Sequence, residues 1–183
     1  MCLPVLQNLT SDLIAELAAH PGIVGVKEAS GDITQISEII EQTRDEDFAV
    51  FSGGDDAMTL PILALGGAGV ITVTANVEPA RFVALYERFC AGDYAGARDM
   101  HYELSPPLMR ALFIDTNPIP VKQAVGMRGM ASGPLRLPLD CMTEAAEAQL
   151  RRCSPAMTKI AICGGASGAW VQRLQTSSTM QTT

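Results

Sequence analysis

Three lysines occur in the chain, Lys27, Lys122 and Lys159. Only Lys27 closes a short, apolar, β-branched run, the stretch GIVGVKEAS over residues 22–30. Such a run reads as a buried parallel strand. A lysine at its end lays its stem, and with it the amine, among apolar neighbours. Burial disfavours the ammonium form, and a neutral amine is a nucleophile that condenses with carbonyl compounds to Schiff bases. Alternation places Ile23, Gly25 and Lys27 on one face and Val24, Val26 and Glu28 on the other. Gly25 then leaves space beside the amine for a ligand. The competing reading is a strand-end lysine that snorkels to water and pairs with Glu28 or Asp32.

Two more strand ends carry polar groups: FSGGDD at 51–56 and ITVTAN at 71–76. In parallel α/β sheets, ligands bind beyond the carboxyl ends of the strands. Asp55 and Asp56 stand where a helix begins, and capping with the helix dipole accounts for an acid there. Gly53 and Gly54 permit a turn with positive φ. Thr72, Thr74 and Asn76 either donate hydrogen bonds to a small carboxylate or satisfy the rim of the sheet. His101, Tyr86, Tyr94 and Tyr102 fall in helical stretches and read as packing or solvated groups.

The elements that must position these groups alternate. Thr10 or Ser11 caps a helix with apolar positions 13, 14, 17 and 18 on one face, broken at Pro21 and Gly22. After the Lys27 strand, Gly31 and Asp32 open a second helix with Ile33, Ile36, Ile39 and Ile40 on one side. A strand over 48–52, a helix over 56–66 and a strand over 69–74 follow. Short apolar strands between amphipathic helices mean a parallel α/β sheet. The remainder is mostly helical: 78–90, then a helix from Asp93 that Pro106 and Pro107 kink or break, then 117–127 and 143–152, with a loop over 131–138. A further strand is expected over 159–163, before a glycine-rich stretch. Residues 175–183 are rich in Ser, Thr and Gln and read as disordered.

Bulk properties narrow the function. The 183 residues suffice for one sizeable core, with 48% hydrophobic and 18% charged residues, an ordinary soluble composition. A net charge of -7 argues against nucleic acid or an anionic membrane as partner. Five cysteines form no C-x-x-C pair and two histidines sit in no metal motif. Neither a disulfide framework nor a zinc site is expected, and a reducing cytoplasm fits. No signal peptide is visible at the start, and no apolar run is long enough to span a membrane.

The motifs GIVGVKEAS at 22–30, FSGGDD at 51–56, LGGAGVITVTANV at 65–77 and NPIPVK at 117–122 resemble, in order and spacing, those of the dihydrodipicolinate synthase / N-acetylneuraminate lyase family. LRLPL at 135–139 is similar to the same family's C-terminal region, and the likeness covers about residues 5–152. The resemblance implies a (β/α)8 TIM barrel followed by a C-terminal helical domain, in a cytoplasmic enzyme that is usually a homotetramer. It implies a lyase of lysine (diaminopimelate) biosynthesis, needing no cofactor beyond a covalent imine through Lys27. That imine would form with pyruvate, and its enamine would attack aspartate semialdehyde. Ile71 matches the position whose backbone contacts bound pyruvate, and Gly53 the glycine near the substrate. Another pyruvate-dependent aldolase of the family, acting on sialic acid or a keto-deoxy sugar acid, is the alternative. A non-catalytic partial-barrel interaction module is the other.

A whole barrel of this type needs roughly 250 residues, so the expectation is the C-terminal part of one. Residues 1–77 would supply about the last three strands, 78–152 the helical domain and 153–183 an atypical tail. The family's carboxylate-binding threonines and its two proton-relay tyrosines would precede residue 1. The arginine for the aldehyde substrate has no counterpart near Pro4, Val5 and Leu6. Residues 157–164 (MTKIAICG) resemble the start of dihydrodipicolinate reductase, a strand entering a glycine-rich dinucleotide turn.

Overall fold

A computed structural model describes residues 8–54, 56–104, 108–130 and 133–153. Three strands, β1 (Gly25–Glu28), β2 (Ala49–Gly53) and β3 (Gly69–Ile71), form one parallel sheet in the order β1-β2-β3. In register, Val26 faces Val50, Lys27 faces Phe51, Ser52 faces Val70 and Gly53 faces Ile71. Helices α1 (Ser11–Ala18), α2 (Ile33–Gln42) and α3 (Thr59–Ala64) alternate with the strands. Helices α4 (Pro79–Cys90), α5 (Tyr94–Leu104), α6 (Ile119–Met127) and α7 (Glu144–Arg152) follow. The expected parallel α/β alternation is therefore present.

Helix starts obey local chemistry. The Thr10 hydroxyl accepts from Leu13 N at 3.3 Å, the Asp32 carboxylate from Thr34 N at 2.9 Å and Gln35 N at 3.4 Å, and the Thr143 hydroxyl from Ala146 N at 3.3 Å. Each satisfies donors that have no partner inside the first helical turn.

Packing separates the two faces of the sheet. Val26 and Val50 lie against Ile14 of α1 and Ile39 and Ile40 of α2. Val70, on the same face, packs with Phe82 and Leu85 of α4 and Leu104 of α5. A third cluster joins Val77 and Leu112 to Ile119 and Ala124 of α6 and Leu150 of α7. On the opposite face, Lys27 and Ile71 are exposed.

Four expectations change. Strand β3 ends at Ile71 rather than residue 74, because 74–76 wind into a 3-10 turn (Thr74–Asn76). The helix expected over 56–66 is a 3-10 turn, Asp56–Met58, followed by α3. On α1, Ile14 and Ala18 are buried, whereas Leu13 and Leu17 remain about 40% exposed. The apolar stripe is wider than the surface that α2 and β2 offer it. Cys141 is disulfide-bonded, which departs from the expectation of free thiols, while Cys90 and Cys153 are free. The expectations for Asp55, Pro106, Pro107, the strand at 159–163 and the tail fall outside the described residues.

Candidate functional site

The site is built from three neighbouring strand ends. Lys27 is the third residue of β1, and its stem runs across Gly53, the last residue of β2. A methyl group placed on Gly53 would lie 2.5 Å from Lys27 Cε, 3.0 Å from Cδ and closer still to Cγ. Glycine at 53 is thus what lets the lysine lie down along the sheet toward the strand tips. Ile71 pairs with Gly53 from the far side. Lys27, Gly53 and Ile71 therefore share one face near the ends of β1, β2 and β3: Gly53 and Ile71 form one cross-strand pair, and Lys27, in register with Phe51, reaches toward that pair through its stem.

The environment of Lys27 differs from the sequence expectation in one respect. The residue is exposed, not buried. Of the apolar residues of its run, Val26 and Ile23 are half-buried and Val24 is exposed, and the core forms on the Val26 face. Desolvation of the amine is thus not supplied by the described residues.

Of the competing reading, the exposure of Lys27 agrees with a lysine that reaches water, but the expected ion pair is not formed. Glu28 points to the opposite face, is 5% exposed, and accepts from Ser30 N at 2.6 Å and Gln35 Nε2 at 3.4 Å. Asp32 caps α2. Among the described residues no ion pair includes Lys27; the six present all involve arginine.

Asp56 behaves differently from a helix cap of its own element. It is 1% exposed, and its carboxylate accepts from Val73 N at 3.3 Å and Thr74 N at 2.7 Å, some 17 and 18 residues further on. Sequence reading expected an acid capping the helix that follows it. The carboxylate instead caps the 3-10 turn after β3, a link that only spatial neighbourhood reveals. Of the expected carboxylate ligands, Thr72 Oγ1 accepts from Ala75 N at 3.3 Å and Asn76 Nδ2 donates to Val73 O at 3.0 Å. Thr74 is fully buried and its hydroxyl has no partner. Thr72 and Asn76 thus serve the rim of the sheet.

His101 is 9% exposed, with its ring edge-on to Tyr102. Tyr86 donates to Ala68 O at 3.2 Å, and a hydrogen bond with the Cys90 thiol raises its phenol above the ordinary value. His101 lines a cavity of about 670 Å³ between α3 and α5, with Leu60, Phe89, Tyr94, Arg98 and Tyr102. None of these residues belongs to the group at the strand ends.

That group sits in a chain whose residues 4–156 match the Dihydrodipicolinate synthetase family. The chain belongs to that family. Against the 4-hydroxy-tetrahydrodipicolinate synthase of Methanoculleus marisnigri it is 70% identical over 146 residues, covering 80% of this chain and 50% of the relative. The synthase of Haloarcula marismortui is 54% identical over 138 residues, covering 75% and 44%. Among solved structures, the dihydrodipicolinate synthase of Thermotoga maritima superposes with a TM-score of 0.76 at 39% identity, covering 82% of this chain and 51% of that one. A monomeric dihydrodipicolinate synthase variant gives a TM-score of 0.77 at 38% identity. The chain spans about half the length of the synthases it matches. Among the described residues of this dihydrodipicolinate synthetase family member, no helix is long and apolar enough to cross a membrane. No group of three or more His, Cys, Asp or Glu side chains is arranged to hold a metal there.

Proposed function

We propose that the chain is the C-terminal part of a pyruvate-dependent Schiff-base lyase of lysine (diaminopimelate) biosynthesis, with Lys27 as the nucleophile. The observation that carries the reading is the Lys27 stem lying across Gly53, beside Ile71, in a chain 70% identical to a named synthase. The amine attacks C2 of pyruvate, and water leaves as the imine forms. Loss of a proton from the methyl group gives an enamine, whose carbon attacks the aldehyde of aspartate semialdehyde. The imine is the electron sink, and no cofactor enters. Relatives named as synthases favour aspartate semialdehyde over a sugar acid as second substrate.

In this reading Ile71 presents backbone to pyruvate, and Gly53 keeps the lysine and the ligand free of a side chain. Residues 1–77 are the last three strands of a (β/α)8 barrel, residues 78–152 a helical C-terminal domain, and 153–183 a tail whose residues 157–164 resemble the start of a reductase. A cytoplasmic homotetramer is the assembly proposed for the whole enzyme. The exposure of Lys27 and Ile71 fits a sheet face that the rest of a barrel would cover.

Incubation with pyruvate and borohydride, read by peptide mass spectrometry, tests the nucleophile. A reduced pyruvyl adduct on Lys27, absent in Lys27→Arg, is expected. Adduct formation on Lys122 or none at all rejects the assignment.

A further inference from the structure

We propose that Asp56 is a positioning residue for the pyruvate site, fixing the backbone after β3 so that the Ile71 end of that strand stays beside Gly53 and Lys27. The proposal rests on the function given above and names how that site is held together.

The geometry is specific. Ile71 is the last residue of β3, and its strand pairing is with Gly53. Two residues later the chain turns into the 3-10 segment Thr74–Asn76, whose N-cap, Val73, offers no side-chain cap. The free donors there are Val73 N and Thr74 N, and the Asp56 carboxylate takes both. Asp56 itself is held from the other side: its carbonyl accepts from Thr59 Oγ1 at 2.7 Å, and both residues are essentially fully buried. One residue thus ties the end of β2, the start of α3 and the turn after β3 into a single joint.

A carboxylate suits this place because its two oxygens can serve two backbone donors at once. An asparagine offers a single acceptor oxygen and turns an NH2 group toward the second N–H. The orphaned donor then draws the turn away to find a partner, and the strand end that precedes it moves with it. Lys27 remains in place, so its chemistry is intact while the surface opposite it is displaced. The expected signature is weaker pyruvate capture, not loss of the nucleophile.

The test uses the full chain. Adduct on Lys27 is quantified by intact mass after borohydride trapping over a series of pyruvate concentrations, alongside a thermal melt. Asp56→Asn is expected to raise the half-saturating pyruvate concentration about tenfold while the same maximal adduct is reached. Val73→Pro removes one of the two donors at a φ of -77°, which proline adopts, and leaves the carboxylate untouched. It is expected to shift the same concentration by a smaller factor, and it decides the matter alone should Asp56→Asn fail to fold. A purely architectural role would lower the melting temperature and leave half-saturation where it is; that result overturns the proposal. Absence of adduct on the unsubstituted chain overturns the function and this proposal together.

Discussion

Gly53→Ala separates the placement of Lys27 from the stability of the sheet. The new methyl group would stand 2.5 Å from Lys27 Cε and 3.0 Å from Cδ. Ordinary carbon–carbon contact begins near 3.5 Å, so the stem must retreat by about 1 Å. Backbone strain plays no part, since Gly53 is not among the glycines with positive φ. Two stability effects then oppose each other. Alanine restricts the unfolded chain, which favours folding by about 0.4–1 kcal/mol. Pushing the lysine off its rotamer costs about 0.5–1.5 kcal/mol. Lys27 is exposed and has room to swing, so the net change is expected to stay within about 1 kcal/mol of zero. Reactivity is affected far more, because a misplacement of about 1 Å costs on the order of 100-fold in a positioned reaction. The assay pairs the initial rate of borohydride-trapped adduct with a melt on the same samples. A trapping rate equal to that of the unsubstituted chain would refute the claim that the Gly53 gap positions the amine. A large fall in melting temperature would refute the claim that the stem is free to move.

Two further perturbations test the scaffold. Ile39 is fully buried against Ile14 and Val50, so Ile39→Ala is expected to lower unfolding free energy by about 2–5 kcal/mol in urea titrations; a change below about 1 kcal/mol would mean this cluster is not a core. Asp93 accepts from Gly96 N at 2.9 Å and pairs with Arg88, and the Gly96 hydrogen bond, with help from Arg88, holds its carboxyl below the usual carboxylate value. Unfolding restores the ordinary value near 3.9, so in that window the unfolded chain binds more protons and stability rises with pH. The contribution is therefore complete above about pH 4 and is lost as pH falls through the depressed value. Asp93→Asn is expected to flatten that part of an acid-denaturation profile, and an unchanged profile would contradict the sign.

Local signals in the sequence were reliable where the physics is local. Thr10, Asp32 and Thr143 cap helices because a side-chain oxygen two or three residues from an unpaired N–H needs no distant partner. The strands at 25–28, 49–53 and 69–71 overlap the apolar runs read at 22–27, 48–52 and 69–74. Lys27 was visible for the same reason: a rare residue type closing such a run. What was hidden involves residues far apart in the chain. The Asp56 carboxylate reaches Val73 and Thr74, and no reading of 51–56 contains those donors.

The sequence by itself determined the order of helices and strands among the described residues, the caps of α1, α2 and α7, and the place of Lys27 near a strand end, because each depends on neighbours within a few residues. Only the tertiary structure decided that β3 stops at Ile71, that the Lys27 stem lies over Gly53, and that the lysine face is open to solvent. Those outcomes depend on which strand lies beside which and on what covers each face, and the chain's local pattern is the same whether a face is covered or bare.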